Sequence, residues 1–137
     1  MNIQHSADGN IELHSSTDGG SNYVASTLND FVVMQHSDAA AATTAVSAGT
    51  SEITMSSTQG GTGTLECLNG HVRLYSPHNT VYDKYYTWQL GFANTADVLI
   101  ANTGAGRVFV NQDIDAVKFA PSTGTFTGKI NAYGWVT

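Results

Sequence analysis

The segment Tyr85-Tyr86-Thr87-Trp88-Gln89-Leu90-Gly91-Phe92-Ala93 decides the fold class. In an extended chain Tyr86, Trp88, Leu90 and Phe92 fall on one side, and Tyr85, Thr87 and Gln89 on the other. A helix, which repeats about every 3.6 residues, would scatter the four apolar side chains around its circumference; a β-strand gathers them on one face. The segment is therefore a half-buried strand, with Trp88 in the core.

The same period recurs on both sides of it. Asn10 to Ser15 turns Ile11 and Leu13 inward and Glu12 and His14 outward, then meets Ser16-Thr17-Asp18-Gly19-Gly20-Ser21, whose glycines predict a hairpin-type turn. Phe31 to Gln35 is a further apolar run, and Glu52 to Ser57 puts Ile53 and Met55 on one face. Gly63 to Ser76 is the longest extended stretch, with Leu65, Cys67, Val72 and Leu74 in it. Its Asn69-Gly70 reads as a bulge rather than a hairpin, because the flanking arms are unequal. Val98 to Ala101, Arg107 to Val110, Ala116 to Phe119 and Phe126 to Trp135 complete the set. Asp38 to Ala48 dissents: an N-cap residue and four alanines favour helix, its Thr, Val and Ser oppose it, and a loop with at most one helical turn is expected. Short strands bounded by Gly, Asn, Asp and Ser predict an all-β antiparallel sandwich, jelly-roll-like, of about 8–10 strands.

Composition narrows the function. The 137 residues hold 5 Lys and Arg against 11 Asp and Glu, a formal charge of −6 with only 12% charged residues. Ser, Thr, Gly and Asn number 12, 17, 14 and 10, more than a third of the chain. Hydrophobic residues at 41% are enough for one domain with its own core. The five cations Arg73, Lys84, Arg107, Lys118 and Lys129 are scattered, which argues against nucleic acid or an anionic membrane as partner. No apolar run is long enough to span a bilayer, and the polar start from Met1 to Asn10 is unlike a signal peptide, so the expectation is a soluble protein made in a cytosol. The single cysteine, Cys67, excludes an internal disulfide, and its alternation with Leu65 predicts a buried, inert thiol.

Catalytic patterns are lacking. There is no Gly-x-Ser-x-Gly elbow, Gly60-Gly61-Thr62-Gly63 has no Lys-Ser or Lys-Thr after it, and Gly104-Ala105-Gly106 lacks the third glycine of a dinucleotide fingerprint, so both glycine groups read as loops. His5, His14, His36, His71 and His78 are never paired at helical spacing, and no metal, cofactor or catalytic residue is expected. For a hydrolase the nominations are Asp113 with Asp115, or Glu52 with Glu66. Tyr82, Tyr85, Tyr133 and Trp135 are the candidates for exposed aromatic contact with a glycan or a protein partner.

Three segments together, Ser16-Thr17-Asp18-Gly19-Gly20-Ser21-Asn22-Tyr23, Tyr85-Tyr86-Thr87-Trp88-Gln89-Leu90 and Phe126-Thr127-Gly128-Lys129-Ile130-Asn131-Ala132-Tyr133-Gly134, resemble in content and order a β-sandwich domain of bacteriophage virion proteins, found in capsid decoration proteins and in head or tail fibres. The resemblance implies a non-enzymatic structural protein on the virion exterior, assembled in the host cytoplasm. Its partners would be further copies of itself, with a trimer favoured, other virion proteins such as the major capsid protein, and, in an alternative role as a receptor- or carbohydrate-binding tail or fibre module, a host surface glycan. Asp18, Gly19, Gly20, Trp88, Gln89, Tyr133 and Gly134 carry over as fold determinants only. Similar domains have one or two more strands before the part matching Asn2 to Leu13. Either a neighbouring chain supplies the missing edge of this 1–137 domain, or the natural start lies upstream of Met1.

Overall fold

A computed structural model describes the chain except for residues 25, 26, 40, 57–59, 64, 65 and 135–137. Its ten strands are β1 (Asn2–His5), β2 (Ile11–Ser16), β3 (Asn29–Ser37), β4 (Thr43–Thr50), β5 (Ile53–Thr54), β6 (Leu68–Tyr75), β7 (Lys84–Ala93), β8 (Leu99–Val108), β9 (Ala116–Pro121) and β10 (Phe126–Lys129). Seven form one sheet in the order β10-β1-β6-β7-β8-β3-β4, and three form a second in the order β5-β2-β9. Every pairing is antiparallel. The chain is an all-β sandwich.

The pairing is nested. β1 pairs with β10, β2 with β9 and β3 with β8, and successive nested pairs alternate between the large and the small sheet. A long antiparallel ribbon rolled up on itself produces this alternation, and it is the jelly-roll-like element of the topology. β6 and β7 then continue from β8 as a meander.

β7 runs through the middle of the large sheet, and its burial alternates without a fault: Tyr86, Trp88, Leu90 and Phe92 are buried, Tyr85 and Gln89 exposed. Against its inner face lie Ile11 and Leu13 of β2 and Ile53 and Met55 at β5, with Ile3, Val33, Leu68, Ile100 and Val108 around them. Two polar bonds link the layers inside this apolar space. The Trp88 indole donates to the Met55 carbonyl at 2.9 Å, and the Tyr86 hydroxyl lies 2.8 Å from Ser15 Oγ. Burial pushes the Tyr86 phenol up to about 12, with the Ser15 bond working in the opposite direction. Lys84 heads the same strand with its side chain fully buried, and its ammonium donates to the carbonyls of Tyr82 (2.7 Å) and Val110 (3.3 Å).

Five expectations are corrected. Val98 to Ala101 and Arg107 to Val110 are not separate strands with a glycine loop between them; β8 runs straight through Gly104-Ala105-Gly106. The glycines are there for space, since Gly104 lies directly opposite Trp88, where a Cβ would run into the indole, and a Cβ on Gly106 would come within 2.7 Å of the Ile53 Cδ1. Asn69-Gly70 makes no bulge: the register of β6 on β7 is continuous from Asn69 to Tyr75, and glycine is needed because the β7 backbone at Gln89 and Leu90 would meet a Cβ. The region expected as a loop is largely strand β4, because Thr and Val at alternate positions pair with β3 and the alanines add no apolar stripe for a helix to bury. Ser16 to Ser21 does not close a hairpin; β2 belongs to the small sheet and β3 to the large one, so the turn begins a crossing between layers. Cys67 is half-buried rather than sealed, with Asn69 Nδ2 at 3.4 Å from its sulfur, and Leu65 lies outside the described residues. Among the described residues β1 pairs with β10 on one side and with β6 on the other, and the outermost strands of the two sheets are β4, β10, β5 and β9.

The Trp88 and Gly104 contact is testable. Gly104→Ala forces the indole out of its rotamer or the strands apart and is expected to destabilise the fold by roughly 1–3 kcal/mol. Urea denaturation followed by far-UV circular dichroism measures it; an unchanged midpoint would mean that the indole has room elsewhere.

Candidate functional site

Because β7 and β8 sit in the middle of the large sheet, their outward residues line up with those of β3, β4 and β6 into cross-strand rows. One row reads Val46, Val32, Ala105, Thr87, Arg73, and the next Thr44, Met34, Thr103, Gln89, His71. Small, uncharged residues dominate the half nearest β4, where Val32 (39% exposed), Met34 (49%) and Val46 (72%) stand in solvent, with Leu99 exposed on β8.

The row at the start of β7 has different chemistry. Tyr85 lies between Tyr75 on β6 and Arg107 on β8, and Arg107 in turn is opposite Asp30 on β3. The Arg107 guanidinium donates to Asp30 Oδ2 at 2.7 Å, reaches Asp83 Oδ2 at 4.0 Å, and stands 3.7 Å from the centre of the Phe109 ring. Asp30 also accepts the Gly49 amide at 3.1 Å. The Arg107 hydrogen bond holds the Asp30 carboxyl below the usual carboxylate range, and the same bond raises Arg107. Tyr75 bonds the Thr87 hydroxyl at 3.3 Å and lies under the Arg73 guanidinium at 5.9 Å; the Thr87 bond, then Arg73, draw its phenol down. Between these groups a shallow depression of about 330 Å³ is lined by Asp30, Val32, Tyr85, Ala105 and Arg107 among others. An aromatic face beside a fixed guanidinium–carboxylate pair can stack on an apolar ring face while hydrogen-bonding hydroxyls at its rim.

Of the aromatics singled out in the sequence, Tyr85 thus lines the depression. Tyr82 projects 69% exposed from the turn before β7, where Asn79 Oδ1 accepts the amides of Val81 (2.7 Å) and Tyr82 (2.8 Å). Tyr133 is 87% exposed but follows β10, whose Lys129 end aligns with Asn2 and Asn69, at the far end of the strands from Tyr85. Tyr82, Tyr85 and Tyr133 do not form one cluster, and Trp135 lies outside the described residues. Tyr75 and Arg107 were missed. Their outward parity is legible in the sequence, but the register that sets them on either side of Tyr85 is not.

The resembling segments take distinct places. Ser16 Oγ accepts the amides of Asp18 (3.2 Å) and Gly20 (2.9 Å), and Asp18 takes the Asn22 amide at 2.8 Å and its side chain at 2.7 Å. These bonds, the Asn22 amide foremost, hold the Asp18 carboxyl below its usual range, while Gly19 and Gly20 have φ of 71° and 86°. The turn has its own hydrogen-bonded structure. Gln89 points to solvent and Gly134 has open space where a Cβ would stand, so neither has a packing role.

The acidic nominations have other partners. Asp115 accepts the Gly19 amide at 2.9 Å while Asp113 is exposed, and Glu66 folds back on the Gly63 amide. Glu52 instead acts on Glu12, whose carboxyl is raised by burial and then by Glu52; His14 Nε2 is 3.5 Å from Glu12, and Lys118 lies 4.4 Å over the Tyr23 ring, all on the outer face of the small sheet. Among the described residues no group of three or more His, Cys, Asp or Glu is placed to hold a metal ion. No family model matches the chain, and no curated protein or solved structure matches it either.

Among the described residues His5 is a buried polar side chain with no hydrogen-bond partner. It sits 5% exposed on β1 against Phe126 and under Gly60, and neither ring nitrogen has a hydrogen bond among the described residues. Burial lowers it from the ordinary 6.5. The unfolded chain therefore takes up this proton at a higher pH than the folded one, and stability is lost as pH falls through the ordinary value toward the folded one. The midpoint of thermal unfolding is expected to drop between about pH 7 and about pH 5, and His5→Leu to flatten the drop. An equally steep decline in the variant would place the effect in other groups, of which His14, also lowered by burial, is the first.

Proposed function

We propose that this chain is a non-enzymatic structural protein of the bacteriophage exterior, a capsid-decorating or head-attached domain that docks on other virion proteins through the outer face of its large sheet. The observation that carries the docking part is the exposed, uncharged patch of Val32, Met34 and Val46, set in rows of Thr and Ala. A regular sheet face leaves such side chains in water only at a cost, and a partner surface of small polar and apolar groups would remove it. The virion part is supported by the three resembling segments and by the sandwich that contains them.

Co-sedimentation of the purified protein with phage heads tests this reading. Binding is expected to fall at least tenfold on Met34→Glu, since a carboxylate buried without a partner costs more than the roughly 1.4 kcal/mol of one decade. A protein found on neither heads nor tails would end the proposal.

One observation favours a second reading, in which the chain contacts a glycan. The depression beside Tyr85 offers a ring face together with the Arg107–Asp30 pair. On a glycan array a positive signal should be lost with Tyr85→Ala while the fold is kept, because Tyr85 is half exposed and outside the core. An array with no signal removes this reading and leaves the first intact.

A further inference from the structure

Among the described residues β4 pairs only with β3, so the other side of Thr43–Thr50 is a free sheet edge. Free edges are ordinarily blunted by lysine, proline, shortness or a bulge. The other edges follow this rule: β10 is four residues long and ends on Lys129, β9 carries Lys118 and Pro121, and β5 is two residues long. β4 is eight residues long and contains neither a charge nor a proline, and its one blunting feature, a bulge after Ser47 in which Gly49 has φ of 68°, leaves Thr43 to Ser47 paired regularly with Gln35 to Phe31. The one irregularity of this ladder, between Asn29 and Phe31, lies beyond Ser47.

A second copy of β4 can supply the missing pairing, and charge permits it here. Copies of a chain with a net charge of −6 repel one another, and they meet at least cost where no like charges face each other. β4 is such a place, and the outward neighbours Val32 and Met34 on β3 are uncharged as well. We infer that two copies of this chain join edge to edge through β4, antiparallel, about a two-fold axis at Val46. Residues directly opposite in an antiparallel pair share a face, so the axis passes through a residue and not between two. On Val46 it sets Ala45 against Ser47 of the second copy and Thr44 against Ala48, small side chains throughout. The most exposed apolar residue of the strand then faces its own copy, and the row Ala105, Val32, Val46 runs on into Val46, Val32, Ala105 of the second copy. The contact is isologous and closes on itself, giving a dimer and not a fibre. It differs from the three-fold assembly that the phage resemblance implies, and it does not depend on the virion reading.

Light scattering on the full chain should give twice the chain mass, and Val46→Lys should give the monomer mass with an unchanged far-UV spectrum. In a Cys67→Ser background, Val46→Cys should form a disulfide-linked dimer under mild oxidation, since opposed Cα atoms in such pairs stand within disulfide reach. Thr44→Cys, which faces Ala48, should not. A wild-type monomer, a trimer, a dimer that survives Val46→Lys, or cross-linking of the Thr44 variant as readily as of the Val46 variant would each overturn the inference.

Discussion

The fold turns on the bedding of one indole. Trp88 can lie flat against the neighbouring strand only because β8 has glycine at the position in register with it, and its ring nitrogen is satisfied only because the chain after β5 presents the Met55 carbonyl at 2.9 Å. One side chain thereby ties the middle of the large sheet to the small one. The Tyr86–Ser15 bond does the same one pleat away, and Gly106 leaves the space that Ile53 fills. An unpaired indole N–H in this space would cost about what a good hydrogen bond contributes, so the apolar packing and the polar bond have to form together. This coupling makes a core of few aliphatic residues sufficient for a chain rich in Ser, Thr, Gly and Asn.

The unequal sheets follow from the same arrangement. Three strands suffice to cover the aromatic inner face of β7 and its neighbours, while the large sheet extends to β10 on one side and β4 on the other. Its outer face is left to solvent, and the alternation that buries Trp88 necessarily turns Tyr85, Thr87 and Gln89 outward. The functional candidates all lie on this leftover surface: an apolar and hydroxyl-bearing half near β4, and an aromatic half where Arg107 is fixed by Asp30 and Phe109. The outer face of the small sheet carries Glu12, His14 and Lys118, with Glu52 acting on Glu12.

Much of the core was legible because side-chain alternation is a local property of extended backbone. Tyr86, Trp88, Leu90 and Phe92, like Ile11 with Leu13 and Ile53 with Met55, could be assigned inward from their spacing, and all are buried. Local signals misled where a residue answers to a distant neighbour. Gly104 and Gly106 look like loop glycines but are strand glycines that make room for Trp88 and Ile53; the alanines before Thr43 suggest a helix but lead into an edge strand. Lys84 shares the inward parity of Trp88, yet as a lysine it reads as a surface cation until the carbonyls of Tyr82 and Val110 are found around its ammonium.

The sequence by itself therefore determined the all-β class, the approximate number of strands and the inward set of β7, since each depends only on period-two alternation and nearby turn residues. Tertiary structure alone decided the seven-to-three division, the nested pairing of β1 with β10, β2 with β9 and β3 with β8, and the meeting of Tyr75, Tyr85, Arg107 and Asp30. The physical reason is register. Which residues stand opposite one another across a sheet is set by contacts between segments far apart in the chain, and a slip of one residue would turn every side chain of a strand to the other face.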